Sequence, residues 1–131
     1  MAKAAPLVGR VVAGFPSPAE QYAEQPLSID DLLIKRPTAT FFVWAEGDSM
    51  IGEGIHDGDL LVVDRSIRPA DGDVIIAAVD GEFTVKTYRS ARGRTWLQAA
   101  NPAYPDIVLD PRHELDYFGK VIAFVHPYIK V

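Results

Sequence analysis

Residues 73–88 read DVIIAAVDGEFTVKTY. Two apolar, β-branched runs, 73–79 and 82–88, are separated by Asp80 and Gly81. An Asp-Gly pair between such runs is the strongest short-range hairpin signal, because a type I′ turn needs positive φ at both central residues. The stretch therefore predicts an antiparallel hairpin, and similar runs recur on both sides of it. TFFVWA at 40–45, DLLVVD at 59–64, RTWLQA at 94–99 and YFGKVIAFV at 117–125 all read as strands. Many short strands with turn signals between them predict a mostly β fold, a folded, barrel-like antiparallel sheet.

One short helix is expected at 28–35, with Ser28 as N-cap, Asp30 and Asp31 in the favoured first turn, and Pro37 blocking continuation. Residues 1–26 read as an extended arm, since Pro6, Pro16, Pro18 and Pro26 resist helix. The arm is apolar for a linker. Leu7, Val8, Val11, Val12 and Phe15 would prefer a groove or a sheet to water. Residues 27–131 form the β-rich domain.

Composition narrows the class. The 131 residues carry 13 Lys and Arg against 18 Asp and Glu, a formal charge of −5, with 48% hydrophobic and 24% charged residues. That balance and length suit one ordinary globular core. The absence of cysteine removes disulfides, thiolate catalysis and Cys-based zinc sites. No apolar run approaches the roughly 18 residues that span a bilayer, and the N-terminus lacks a signal-peptide core, so the expectation is a cytoplasmic protein without membrane contact. The acidic balance argues against general nucleic-acid binding, which needs clustered Lys and Arg.

The loop at 46–59, EGDSMIGEGIHDGD, holds Gly47, Gly52, Gly54 and Gly58. Such a loop can expose the Ser49 hydroxyl and aim backbone N–H groups at one point, as an oxyanion hole requires. By spacing alone the favoured reading is a long polar turn with a capping serine. Lys86 is the second feature. A lysine base must be neutral, which demands burial away from carboxylates. Strand alternation puts Lys86 with Glu82 and Thr84, opposite Phe83 and Val85, and so predicts a solvent-facing side chain. His56, His113 and His126 are scattered, and nothing selects one of them for a Ser49-His-Asp triad. Asp57, Asp59 and Asp64 flank a strand, where acids more commonly serve turns than metals. There is no Walker A motif and no dinucleotide fingerprint.

Taken together, three segments carry a resemblance. GDSM at 47–50 followed by GDLLVVD at 58–64 resembles the nucleophile segment of the LexA/UmuD family of self-cleaving serine proteases. AAVDGEFTVK at 77–86 resembles that family's lysine strand, and the separation of 37 residues between Ser49 and Lys86 fits it. AGFPSPA at 13–19 resembles its cleavage site in the UmuD-like branch. The likeness runs from about residue 13 to about residue 126. Only a short segment precedes Gly14, so no helix-turn-helix domain of the repressor branch is expected, nor sequence-specific DNA binding.

The resemblance implies catalysis by Ser49 and Lys86, scission between Ala13 and Gly14, and oxyanion stabilisation by backbone N–H groups around Asp48, Ser49 and Met50. It implies no metal and no cofactor. It also implies a homodimer, stimulation by RecA on single-stranded DNA in the SOS response, and service of the processed chain to an error-prone translesion DNA polymerase. Two other readings compete. One is a non-catalytic dimeric interaction module with a swapped arm. The other is a bacterial signal peptidase, disfavoured by the missing membrane anchor.

Overall fold

A computed structural model of the chain describes residues 4–15, 25–110 and 114–131. It divides into two compact units, residues 1–35 and 36–131. The first contains strands β1 (Ala5–Leu7) and β2 (Gln25–Leu27) and helix α1 (Ile29–Leu33). The second contains β3 (Thr40–Trp44), β4 (Leu60–Asp64), β5 (Val74–Val79), β6 (Glu82–Ala91), β7 (Arg94–Gln98), β8 (Ile107–Val108) and β9 (Leu115–Val125).

In the first unit, β1 and β2 pair antiparallel with Pro6 opposite Pro26. Two facing prolines lack N–H donors, which keeps the ladder short. The sequence expectation of an extended arm thus becomes a strand tied back to residues 25–27. Ser28 caps α1 by accepting from the Asp31 N–H at 3.3 Å. The helix stops before the expected residue 35, with the Ile34 N–H on Asp30 O.

In the second unit the seven strands form one antiparallel sheet in the order β3-β4-β9-β5-β6-β7-β8. The hairpin at its centre is the one read from the sequence. Asp80 and Gly81 sit at φ 51° and 85°, and Val79 faces Glu82 across the turn. β4 and β5 are buried on both faces, which is why they read as unbroken apolar runs. Ile76 packs with Met50, Ile55, Leu61 and Val63 in one buried cluster. Its neighbours Ile75 and Ala77 pack with Leu97 in another.

β9 is bulged against both neighbours, between Val62 and Val63 of β4 and between Ile76 and Ala77 of β5. Gly119 lies beside the second bulge. A Cβ there would come within 2.6 Å of Val63 Cγ1 and 2.9 Å of Asp64 O, so the close crossing admits no side chain.

One expectation fails. Lys86 is only 9% exposed, whereas Phe83, assigned to the buried face, is 71% exposed. The alternation argument assumes one wet and one dry face along the whole strand. β6 breaks that assumption because β7 pairs only with its second half, from Thr87 onward. Beside the first half lies the serine loop, which takes Lys86 in.

Candidate active site

The serine loop is fastened at its base. The Ala45 N–H donates to Asp59 O and the Gly58 N–H to Ala45 O, each at 2.8 Å, which closes residues 46–58 into a loop. Inside it, the Gly47 N–H donates to Asp57 Oδ1 at 2.7 Å. Met50 is 2% exposed and plugs the loop into the core. Its carbonyl accepts from the N–H groups of Glu53 and Ile55. The short 3-10 turn Ile51–Glu53 presses against Ala100, with the Gly52 N–H on Ala100 O at 2.7 Å. A Cβ at Gly52 would sit 2.6 Å from that same oxygen. On the other side of Ser49, Asp48 is held by the Tyr104 hydroxyl on Oδ1 at 2.6 Å and by Asn101 Nδ2 on its carbonyl at 3.0 Å. Ser49 is thereby fixed between a pinned and a buried neighbour.

The Lys86 amine meets it there. Nζ lies 3.1 Å from Ser49 Oγ, 2.7 Å from Thr84 Oγ1 and 3.1 Å from Val85 O. Among the described residues no carboxylate forms an ion pair with Lys86. Burial without a counter-ion lowers its pKa from the ordinary lysine value. A neutral amine has two N–H donors and one lone pair. Val85 O can only accept, and Thr84 Oγ1 can accept the second proton. The lone pair is then left for the Ser49 O–H. The concavity in front of the pair is lined by the apolar Val43, Trp44, Leu61, Ile76 and Phe83, with Glu46 also on its wall. The backbone N–H groups of Asp48, Ser49 and Met50 have no acceptor among the described residues.

The other sequence candidates are placed elsewhere. Ala13 and Gly14 lie in the first unit, in exposed, bent backbone within the loop that β1 and β2 close. Residues 16–19 of the cleavage-like segment and His113 fall outside the described residues. His56 and His126 gather on Asp59 rather than on Ser49. Asp57, Asp59 and Asp64 belong to separate networks, with Asp64 bonded to Ser66 and Arg36. Sequence reasoning missed three supporting groups. Thr84 stands two residues before Lys86, a spacing that carried a usable signal. Asn101 and Tyr104 lie more than fifty residues from Asp48, and nothing local announces them.

A mostly antiparallel β domain presenting a loop serine to a buried lysine amine, without an ion pair among the described residues, has the make-up of a serine-peptidase scaffold. Comparison with known proteins agrees: the family described as Peptidase S24-like matches residues 6–122, and the chain belongs to it. It is similar to Protein ImpA of Escherichia coli, 58% identical over 117 residues, covering 89% of this chain and 79% of the relative. Protein SamA of Salmonella typhimurium is 50% identical over 117 residues, covering 89% and 81%. The LexA repressor of Mycolicibacterium smegmatis is 38% identical over 120 residues, covering 92% of this chain and 48% of the repressor. These relatives bear out the resemblance to the LexA/UmuD family and its UmuD-like, SOS-mutagenesis branch. Among the described residues no helix is long and apolar enough to cross a membrane.

Proposed function

We propose that the chain is a self-cleaving serine endopeptidase that cuts its own bond between Ala13 and Gly14. Neutral Lys86 takes the Ser49 hydroxyl proton as Oγ attacks the Ala13 carbonyl. The tetrahedral oxyanion is met by the free N–H groups among Asp48, Ser49 and Met50. Protonated Lys86 then gives its proton to the departing Gly14 amine. Water deprotonated by the same lysine hydrolyses the acyl ester and frees Ser49. Residues 1–26 serve as the substrate arm and 27–131 as the protease domain.

The observation that carries this reading is the 3.1 Å contact between Nζ and Oγ around a buried amine that makes no ion pair among the described residues. The first half of β6 adds support. Glu82 to Lys86 pair with β5 on one side only among the described residues, which leaves an edge on which an extended arm could add as a strand. Small Ala13 and Gly14 would let the backbone approach the nucleophile, and covalent tethering supplies the high effective concentration.

A reaction that always ran fast would leave no precursor, so docking or deprotonation is the controlled step. RecA assembled on single-stranded DNA favours the docked, lysine-neutral state by preferential binding. The processed homodimer then serves an error-prone translesion DNA polymerase as an accessory subunit in SOS mutagenesis, in the cytoplasm.

The test is mass spectrometry of the purified chain after incubation at alkaline pH, and separately with RecA filaments. The expected products are residues 1–13 and 14–131. Ser49→Ala and Lys86→Ala should each stay whole. A chain that remains uncut under both conditions would support the interaction-module reading instead.

A further inference from the structure

His56 and His126 are far apart in the chain, yet their ring centroids lie 4.9 Å apart. The ladder between β4 and β9 brings them together, since Leu60 pairs with Val125 and the next residues outward are Asp59 and His126. Asp59 lies beside both rings. Its carboxylate is fully buried, and Oδ2 is fixed by the His56 backbone N–H at 2.8 Å. His126 Nδ1 is in direct contact with Asp59 Oδ1. His56 Nδ1 lies 4.0 Å from Asp59 Oδ2 and 2.9 Å from Gly54 O. One ligand atom from each of the three residues falls within 4.8 Å of the others. The proposed peptidase chemistry uses none of them.

We propose that His56, Asp59 and His126 form a binding site for a divalent transition-metal ion of the zinc class. Two neutral imidazoles and one carboxylate, with water in the fourth position, are a donor set that zinc accepts, at bonds of about 2.0–2.2 Å. The carboxylate is the fixed member. Both histidine side chains are about half exposed, 49% and 41%, so their rings can turn inward to close the remaining distance and an ion can reach them from solvent. Binding replaces the proton between His126 Nδ1 and Asp59, and that proton leaves to water. His56 Nδ1 gives up its contact with Gly54 O and carries its proton on the other ring nitrogen.

The site has a structural consequence. Asp59 closes the base of the serine loop through Ala45, and His126 follows directly on the end of β9. A bound ion would tie the C-terminal end of that strand to the loop that positions Ser49.

The experiment is calorimetric titration of Zn²⁺ into the tag-free chain, with Co²⁺ absorption as a second readout of coordination. The expected result is one ion per chain and a rise in melting temperature on adding zinc. His56→Gln and His126→Gln should each weaken binding by about tenfold or more, the scale on which single ligand-sphere changes act. The double variant should lose the thermal shift, while His113→Gln should bind like the parent. Both substituted rings are half exposed, so the variants should fold. Zinc binding of unchanged affinity in the double variant overturns the proposal. So does an absence of saturable binding, which would leave Asp59 and His126 a plain hydrogen-bonded contact.

Discussion

Thr84→Val is the substitution whose outcome depends most specifically on how the lysine amine is held. Valine keeps the shape of threonine and removes only the hydroxyl, which makes the shortest of the three Nζ contacts at 2.7 Å. In the charged state all three N–H groups are engaged, on Thr84, Val85 and Ser49. A hydrogen bond to a charged group contributes about 1.5–3 kcal/mol, and one to a neutral group about 0.5–1.5 kcal/mol. Removing the hydroxyl therefore costs the ammonium about 1–1.5 kcal/mol more than it costs the amine, which is roughly one pKa unit. Burial already lowers the Lys86 pKa, and the variant should lower it further. Below that pKa the rate of self-cleavage should climb about tenfold per pH unit, following the neutral fraction. The assay is the rate of appearance of the two fragments, by mass spectrometry, from about pH 7 to about pH 11, spanning the range between a shifted and an ordinary lysine. The midpoint in Thr84→Val should move about one unit toward acid, while the plateau falls because the amine is less firmly positioned. A midpoint that stays in place or moves toward alkali would refute the reasoning.

Lys86→Met should abolish cleavage without loss of stability at neutral pH. Burial lowers the folded-state pKa, so the unfolded chain binds more protons between the two values, and wild-type stability rises with pH across that window. The melting temperature of the variant should equal or exceed that of wild type at neutral pH, with the gap closing as pH rises toward the ordinary lysine value. Gly52→Ala should lower stability by about 1–3 kcal/mol in denaturant unfolding and slow cleavage as well, because the new methyl is driven against Ala100 O. Asp64→Asn should lower stability by on the order of 1–3 kcal/mol, through weakened bonds from Ser66 and Arg36 to a fully buried group. The Ser66 hydroxyl foremost, with the Ser66 N–H and Arg36, outweighs burial and holds the Asp64 pKa below the ordinary carboxylate value. Its contribution is thus in place above that value and lost as pH falls, so the acid side of the stability profile should be shallower in the variant.

The central hairpin was legible because its signal is local: Asp80 and Gly81 demand positive φ, and the runs beside them demand burial. The strands at β4 and β9 were legible for the same reason, and the capping of α1 by Ser28 followed from one side chain. β1, β2 and β8 were not, since two or three residues carry no periodicity and exist only through their partners. At the site, Ser49 and Lys86 drew notice as residue types, but spacing alone left the serine a turn residue and the lysine a surface one. Lys86 was misplaced because β6 changes its surroundings halfway along, a fact of tertiary pairing that alternation does not encode. The histidines looked scattered for a similar reason. Only the β4-β9 register sets Asp59 and His126 side by side. What the residues lacked individually, the order of three motifs supplied, and it pointed to the family to which the chain belongs.

The central claim is that Lys86 sheds its proton more readily than a free lysine because it is buried beside Ser49 without an anion. NMR titration of the Lys86 side-chain carbon next to Nζ, in a Ser49→Ala chain that the proposed mechanism leaves whole, reads this directly against the ordinary lysine value. The account predicts a Lys86 midpoint well below that value. A Lys86 resonance that titrates at the ordinary value would contradict it.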